Sequence, residues 1–189
     1  FWDRNQYNIE KEQKIKVSTI NNYCKKKRIY PDYLKIDTQG SEFEILKGSN
    51  DFHPLLINTE ISFEEVYENQ KKFFNIYEFL FKRDYTILSL PINSYRTRLN
   101  KKEFSKGIPL HGTCLFTLNP YTNNGKKKIL QNKEKFVSLM LIFGHSDFIE
   151  ICKEIIDEKK FSELIVNFKK FPVGKKISKK LSKKEWLGL

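Results

Sequence analysis

A chain of 189 residues that is 39% hydrophobic and 14% aromatic holds one domain with a real core and is not a disordered segment. Its net charge of +12 suits an anionic partner (nucleic acid, an anionic membrane surface or an anionic substrate), but abundant Lys, Asn and Ile equally fit the habit of an AT-rich genome. Three widely spaced cysteines, Cys24, Cys114 and Cys152, form no CxxC pair and argue against a disulfide frame or a zinc site, in keeping with a reducing, cytoplasmic setting.

Residues 1–14 are polar and carry no pattern. They open on Phe1-Trp2-Asp3, and Met140 is the sole methionine, so the sequence reads as a fragment or a processed product. The alternation from Ile15 to Ile20 predicts a short strand or an extended lead-in, and Asn21 to Arg28 predicts a short helix ending in basic residues. After Pro31-Asp32 comes Tyr33 to Asp37, a strand that ends in an acid. The turn Thr38-Gln39-Gly40 leads to Ser41, with Glu44 at capping-box spacing, and a helix over Glu42 to Lys47 stops at Gly48, where a left-handed cap is expected.

Leu55 to Ile61 is apolar and again ends near an acid, as a buried parallel strand does. Phe73, Ile76, Tyr77, Leu80 and Phe81 recur at helical spacing. Tyr85 to Leu90 and Thr113 to Leu118 read as strands, and the polar stretch from Pro91 to Gly112 between them reads as a loop. Two strands with no helix between them are antiparallel or distant. The sum is an α/β sheet with one reversed strand near its edge.

From Lys126 the texture changes. Three helices are expected over 133–143, 146–157 and 160–171, with an apolar stripe of Phe161, Leu164, Ile165 and Phe168 and a lysine-rich tail from Val173. The chain thus divides into an α/β part over 1–122 and a helical extension with a basic tail over 123–189. No run reaches the roughly 18 apolar residues of a membrane span.

Ligands of open α/β sheets sit beyond the carboxyl ends of the strands. Asp37 and Glu60 fall at such ends. Gly40 lets backbone approach a ligand, and the helix start beyond it favours an anion or polarised oxygen. An acid at such a turn can take a proton from a hydroxyl, orient it or hold a metal. Simpler roles compete: Asp37 as a helix cap, Glu60 as a partner of a lysine, and Glu42 as a carboxylate favoured by the helix dipole. His53, His111 and His145 are scattered and read as surface or core histidines. His53 and His111 precede strands, which puts them at the opposite, non-functional edge. Tyr67 precedes a helix and overhangs the site.

The run from Tyr33 through Lys35-Ile36-Asp37, Gly40 and Glu42 to Leu46-Lys47-Gly48 resembles the signature of the FkbM methyltransferases. The later order is similar too: Leu56 to Phe63, Tyr67 and Gln70, Phe73 to Leu80, then Asp84-Tyr85 and Gly112 to Leu118. The resemblance covers about residues 15–120 and matches the C-terminal portion of such a domain. It implies a Rossmann-like class I methyltransferase fold, N-terminally incomplete, whose last strand is reversed. It also implies methyl transfer from S-adenosylmethionine to a hydroxyl oxygen of a sugar, glycolipid, polysaccharide or polyketide. Asp37 then ends the fourth strand beside the transferred methyl, with Thr38, Gln39 and Gly40 as cofactor neighbours. Glu60 ends the fifth strand, and Glu42 or Glu60 assists Asp37 in catalysis. Asp84 stands where the family has glycine before the sixth-strand tyrosine, and Asp tolerates a left-handed turn.

The glycine-rich loop and ribose-binding acid of such folds have no counterpart among these residues, so the chain alone is expected to bind the cofactor weakly or not at all and to expose an unfinished sheet. Two other readings remain. One is a catalytically incomplete module that pairs with another chain. The other is a basic protein whose tail and Phe161–Phe168 stripe lie on an anionic membrane. No nucleic-acid motif is present. The acceptor, any metal need and the oligomeric state are not written in the sequence.

Overall fold

In the computed structural model, residues 11–49, 52–95, 107–152, 158–170 and 175 are described. The order is α1 (Ile20–Lys27), β1 (Tyr33–Ile36), α2 (Glu42–Lys47), β2 (Leu56–Ser62), α3 (Phe73–Phe81), β3 (Tyr85–Ser89), β4 (Ile92–Tyr95), β5 (Ile108–Leu118), α4 (Asn123–Gln131), α5 (Lys133–Phe143), α6 (Ser146–Ile151) and α7 (Glu158–Lys170).

The sheet runs β1-β2-β5-β3, with β4 paired to β5. β1 and β2 are parallel, and β5 is antiparallel to β2, β3 and β4. The reversed strand expected from the sequence is therefore β5, one place in from the β3 edge. At the other edge, β1 pairs with β2 alone among the described residues. β2 has few exposed positions because it is central: Leu56, Ile57, Thr59, Ile61 and Ser62 are all buried. Truncating Leu56, fully buried under this sheet, to Ala would cost about 3 kcal/mol.

The late helices share this core rather than forming a separate one. Ile129, Phe136, Val137, Met140, Leu141 and Ile149 are buried in one cluster with Ile36, Leu56 and Phe116. Tyr33 of β1 meets Phe143 of α5 with ring centroids 5.0 Å apart, and Lys135 of α5 pairs with Asp32 at 3.0 Å. Leu164, Ile165 and Phe168 of α7 pack half-buried against the same core. The Phe161 side chain, and the lysine tail apart from Lys175, fall outside the described residues. Among the described residues no helix is long and apolar enough to cross a membrane.

Several expectations change. Ile15 to Thr19 is not a strand; Ile15 and Val17 are exposed, and Thr19 instead caps α1, its hydroxyl accepting from Asn22 N at 3.1 Å. Ser41 makes no side-chain cap bond to α2. Gly48 has φ −70° and is not left-handed. Its carbonyl accepts from Asn21 N at 3.1 Å, and a Cβ there would stand 3.3 Å from Thr19, so its smallness serves the close approach of α1. The polar stretch 91–112 holds β4 and the start of β5. β4 is exposed at every position, so its sequence lacks the apolar face that marks a strand. α4 is also unforeseen, because its lysines and Gly125 hide it. A Cβ on Gly125 would run into the Asn119 carbonyl, so glycine is needed for the chain to turn there. α6 ends at Ile151 and the rest of the expected 146–157 helix lies outside the described residues, whereas α7 starts at Glu158, earlier than expected. Asp84 does take a left-handed conformation, φ 66°.

Candidate active site

At the carboxyl end of β1 the chain turns through Thr38, Gln39 and Gly40. Glu42 builds this turn. It is only 3% exposed, and its carboxylate accepts from Thr38 N at 2.9 Å, Thr38 Oγ1 at 3.1 Å and Gly40 N at 3.0 Å. The anion held by this turn is thus the protein's own carboxylate. Gly40 has φ +113°, and a Cβ there would stand 3.0 Å from the Tyr67 ring, so both backbone angle and packing demand glycine.

Asp37 lies beyond the strand and is half exposed. Lys35 Nζ stands 3.1 Å from its Oδ2, and this ion pair, helped by Gln39, holds the Asp37 carboxyl below its ordinary range. Gln39, left-handed at φ 56°, ties three groups together. Its Nε2 donates to Asp37 Oδ1 at 3.3 Å and to Glu60 Oε2 at 3.1 Å, and its Oε1 accepts from the Tyr67 hydroxyl at 2.6 Å. A strained backbone at a polar cluster marks a place where local stability is traded for position. Tyr67 does overhang the turn, as its sequence position suggests. Its loop is held by Gln70, whose Oε1 accepts from Val66 N at 3.1 Å and Tyr67 N at 3.2 Å while Nε2 donates to Ser62 Oγ at 3.3 Å.

Glu60 differs from Asp37. Partial burial, and the nearby Asp37 and Glu42 carboxylates, push its carboxyl above the usual range against the opposing pull of His111 and Lys35. His111 Nδ1 lies 4.0 Å from Glu60 Oε1. The sequence-based placement of His111 at the far edge is therefore wrong. β5 runs antiparallel, so its beginning lies at the carboxyl end of β2, with His111 opposite Ser62 and Thr113 opposite Glu60. Only the direction of β5 decides this, and no local pattern reveals it. Lys35 has a visible signal: two residues before Asp37 on a strand, it projects to the same side.

The same register sets Asn58 beside Lys35, so Lys35, Asn58, Glu60, Ser62, His111 and Thr113 share one sheet face. Asn58 Oδ1 is buried without a hydrogen-bond partner there. The opposite face, with Ile36, Ile57, Thr59, Ile61, Cys114 and Phe116, is buried throughout. Burial pushes the Cys114 thiol up to about 12 and the Cys152 thiol up to about 11, so neither is a nucleophile near neutrality.

Residues 2–87 match the family model of the methyltransferase FkbM domain. The match lies at the N-terminal end of the chain; it begins earlier and ends sooner than the 15–120 stretch over which the residues resemble the family, and it does not reach β5. No curated protein and no solved structure matches the chain. Asp37, its glycine turn, Glu42 and Glu60 all fall inside the matched segment, so the part of the chain that carries the candidate site is similar to the methyltransferase FkbM domain.

Proposed function

We propose that this chain is the later part of a Rossmann-like methyltransferase domain that transfers a methyl group from S-adenosylmethionine to a hydroxyl oxygen of a sugar, glycolipid or polysaccharide. The observation that carries the reading is the Asp37 carboxylate, exposed and held ionised at the carboxyl end of β1 beside a glycine turn. Further support comes from the strand order. In the numbering that the family resemblance implies, β1, β2, β5 and β3 stand as the fourth, fifth, last and sixth strands, with the last reversed.

The turn suits the donor through its side chains rather than its amides. Thr38 N and Gly40 N are committed to Glu42, so they are not free to take the donor's carboxylate. Asp37, an anion at the strand end, complements a positively charged sulfonium or ammonium, and Gln39 fixes its orientation. When bound, S-adenosylmethionine supplies a methyl carbon on a cationic sulfur; the hydroxyl oxygen forms the new C–O bond, the C–S bond breaks with its electrons going to sulfur, and the hydroxyl proton is lost. The chain's own residues then have three tasks: to align the hydroxyl, to keep Asp37 charged and to receive that proton. Glu42 serves the first two by holding the turn rigid. The buried free thiols fit work in the reducing cytoplasm.

A second reading, a catalytically incomplete module that pairs with another chain, is favoured by one observation: β1 pairs with β2 alone among the described residues and so offers an edge to a partner. Calorimetry with S-adenosylmethionine separates the two readings, using this chain and a version extended upstream along its native reading frame by roughly 100 residues, about what a domain of this class needs. Binding by the longer protein, lost or weakened more than tenfold in its Asp37→Ala variant, supports the methyltransferase reading. Binding by neither protein favours the module.

A further inference from the structure

We propose that His111 is the proton acceptor for the substrate hydroxyl and that Glu60 positions its imidazole. This deepens the reading above and rests on it. The residue lies on β5, beyond the segment that matches the family model.

β5 antiparallel to β2 puts His111 opposite Ser62 and Thr113 opposite Glu60, on the sheet face that also carries Lys35 and Asn58. His111 and Glu60 are therefore diagonal neighbours, a spacing that long side chains can bridge. They come within 4.0 Å, Nδ1 to Oε1, and with both side chains partly exposed (38% and 31%) a small rotation closes a hydrogen bond. Glu60 is meanwhile held from its other side by Gln39 Nε2. Closing that bond would let a third group set the orientation of the base, the arrangement that makes imidazole an effective proton acceptor.

The competing base is weaker. Asp37 is paired with Lys35 and depressed, so it prefers to remain an anion. A carboxylate already paired with Lys35 suits a cation better than a proton, whereas the His111 ring has the Glu60 carboxylate on its Nδ1 side to stabilise an imidazolium. Among the described residues the charged groups around the pair are few. β2 contributes Glu60; β4 contributes Asn93, opposite His111 and uncharged; Lys35, Asp37 and Glu42 act on Glu60.

The proton balance is simple. As the oxygen bonds to the methyl carbon, the O–H pair stays on oxygen and the proton passes to His111 Nε2. The imidazolium pairs with the Glu60 carboxylate and then releases the proton to solvent.

Two measurements decide it. The first needs no methyl donor: imidazole nitrogen NMR shifts of this chain at a pH where the ring is neutral. With three histidines, His53, His111 and His145, the assignment follows from single substitutions. The Nδ1–H tautomer of His111 should predominate and be lost in Glu60→Ala, which removes the acceptor. An unchanged tautomer would overturn the pairing. The second is turnover of the upstream-extended protein with an acceptor. His111→Gln should lower kcat by about 100-fold or more and leave donor affinity unchanged. Glu60→Gln should give a smaller kcat loss of the same kind. A His111→Gln variant that binds the donor, folds by circular dichroism and turns over within about twofold of the parent would end the proposal while leaving the methyltransferase reading intact. Absence of donor binding in the parent itself would instead remove that reading, and the proposal with it.

Discussion

Two carboxylates contact successive residues of the 38–40 turn and behave oppositely. Under the 38–40 turn, Glu42 is buried and its oxygens are taken up by Thr38 and Gly40. At the open end of β2, Glu60 is partly exposed, shares Gln39 with Asp37 and meets His111 at ion-pair distance. The first carboxylate has its acceptor capacity spent on the fold; the second keeps capacity to exchange a proton. Side-chain type alone does not tell a building residue from a reacting one. The number of hydrogen bonds already made, and the water left around them, does.

The sharpest way to break this contrast is Glu42→Ala. It strips the Thr38 and Gly40 amides of their acceptor and should lower stability by about 3 kcal/mol in urea unfolding. A loss under about 1 kcal/mol would mean that the turn holds itself.

Gly40→Ala comes next, at about 2 kcal/mol, because φ +113° is strained for alanine and the new methyl group meets Tyr67. In a Tyr67→Ala background the packing part of that cost should disappear and the backbone part remain. Equal costs in both backgrounds would show that packing against the ring contributes nothing.

Tyr67→Phe removes the hydroxyl's hydrogen bond to Gln39 near solvent and should cost about 0.5–1 kcal/mol, read by thermal unfolding. A larger loss would make the Tyr67 loop part of the folding core.

The smallest effects are opposite in sign for the two acids at the open end. The folded-state value of Glu60 is raised, so its contribution is favourable at low pH and is lost as pH rises through that value. Glu60→Gln should therefore match the parent at low pH and be slightly more stable at neutral pH. Asp37 is lowered, so its contribution exists above the unfolded value and is lost as pH falls through the folded one. Asp37→Asn should be slightly less stable at neutral pH and converge with the parent in acid. Unfolding midpoints across pH 3 to 7 (roughly the span over which carboxylates titrate) check both, and like signs would show that Lys35 and burial do not set these carboxyls apart.

Much of the fold is legible because strong local patterns agree with it. The strand over Tyr33–Ile36, the helix over Glu42–Lys47 and the helix from Phe73 follow from apolar spacing and a glycine stop. β4 and α4 escape the reading because their stability is borrowed. β4 is exposed along its length and exists by pairing with β5; α4 carries three lysines in a row and one deeply buried apolar residue, Ile129. The absence of a strand at Ile15–Thr19 is the converse case, an alternating pattern with no described neighbour to pair with. Within the site, Asp37, Gly40, Glu42 and Glu60 are legible as acids and a glycine at strand ends, whereas the bridging of Gln39 and the closeness of His111 are not.

The sequence by itself determined the parallel β1-α2-β2 unit, the acids at its carboxyl ends, the need for a small residue at Gly40 and the similarity to a methyltransferase domain, because each rests on residues within one turn or one strand of each other. Tertiary structure alone decided which carboxylate is buried under the turn and which is open, that the late helices complete the sheet's core, and that His111 lies at the same end as Asp37. These depend on the direction of β5 and on which side chains meet across more than 40 residues of chain, from Glu60 to His111, and a reversed strand exchanges its two ends without changing a single residue of its own pattern.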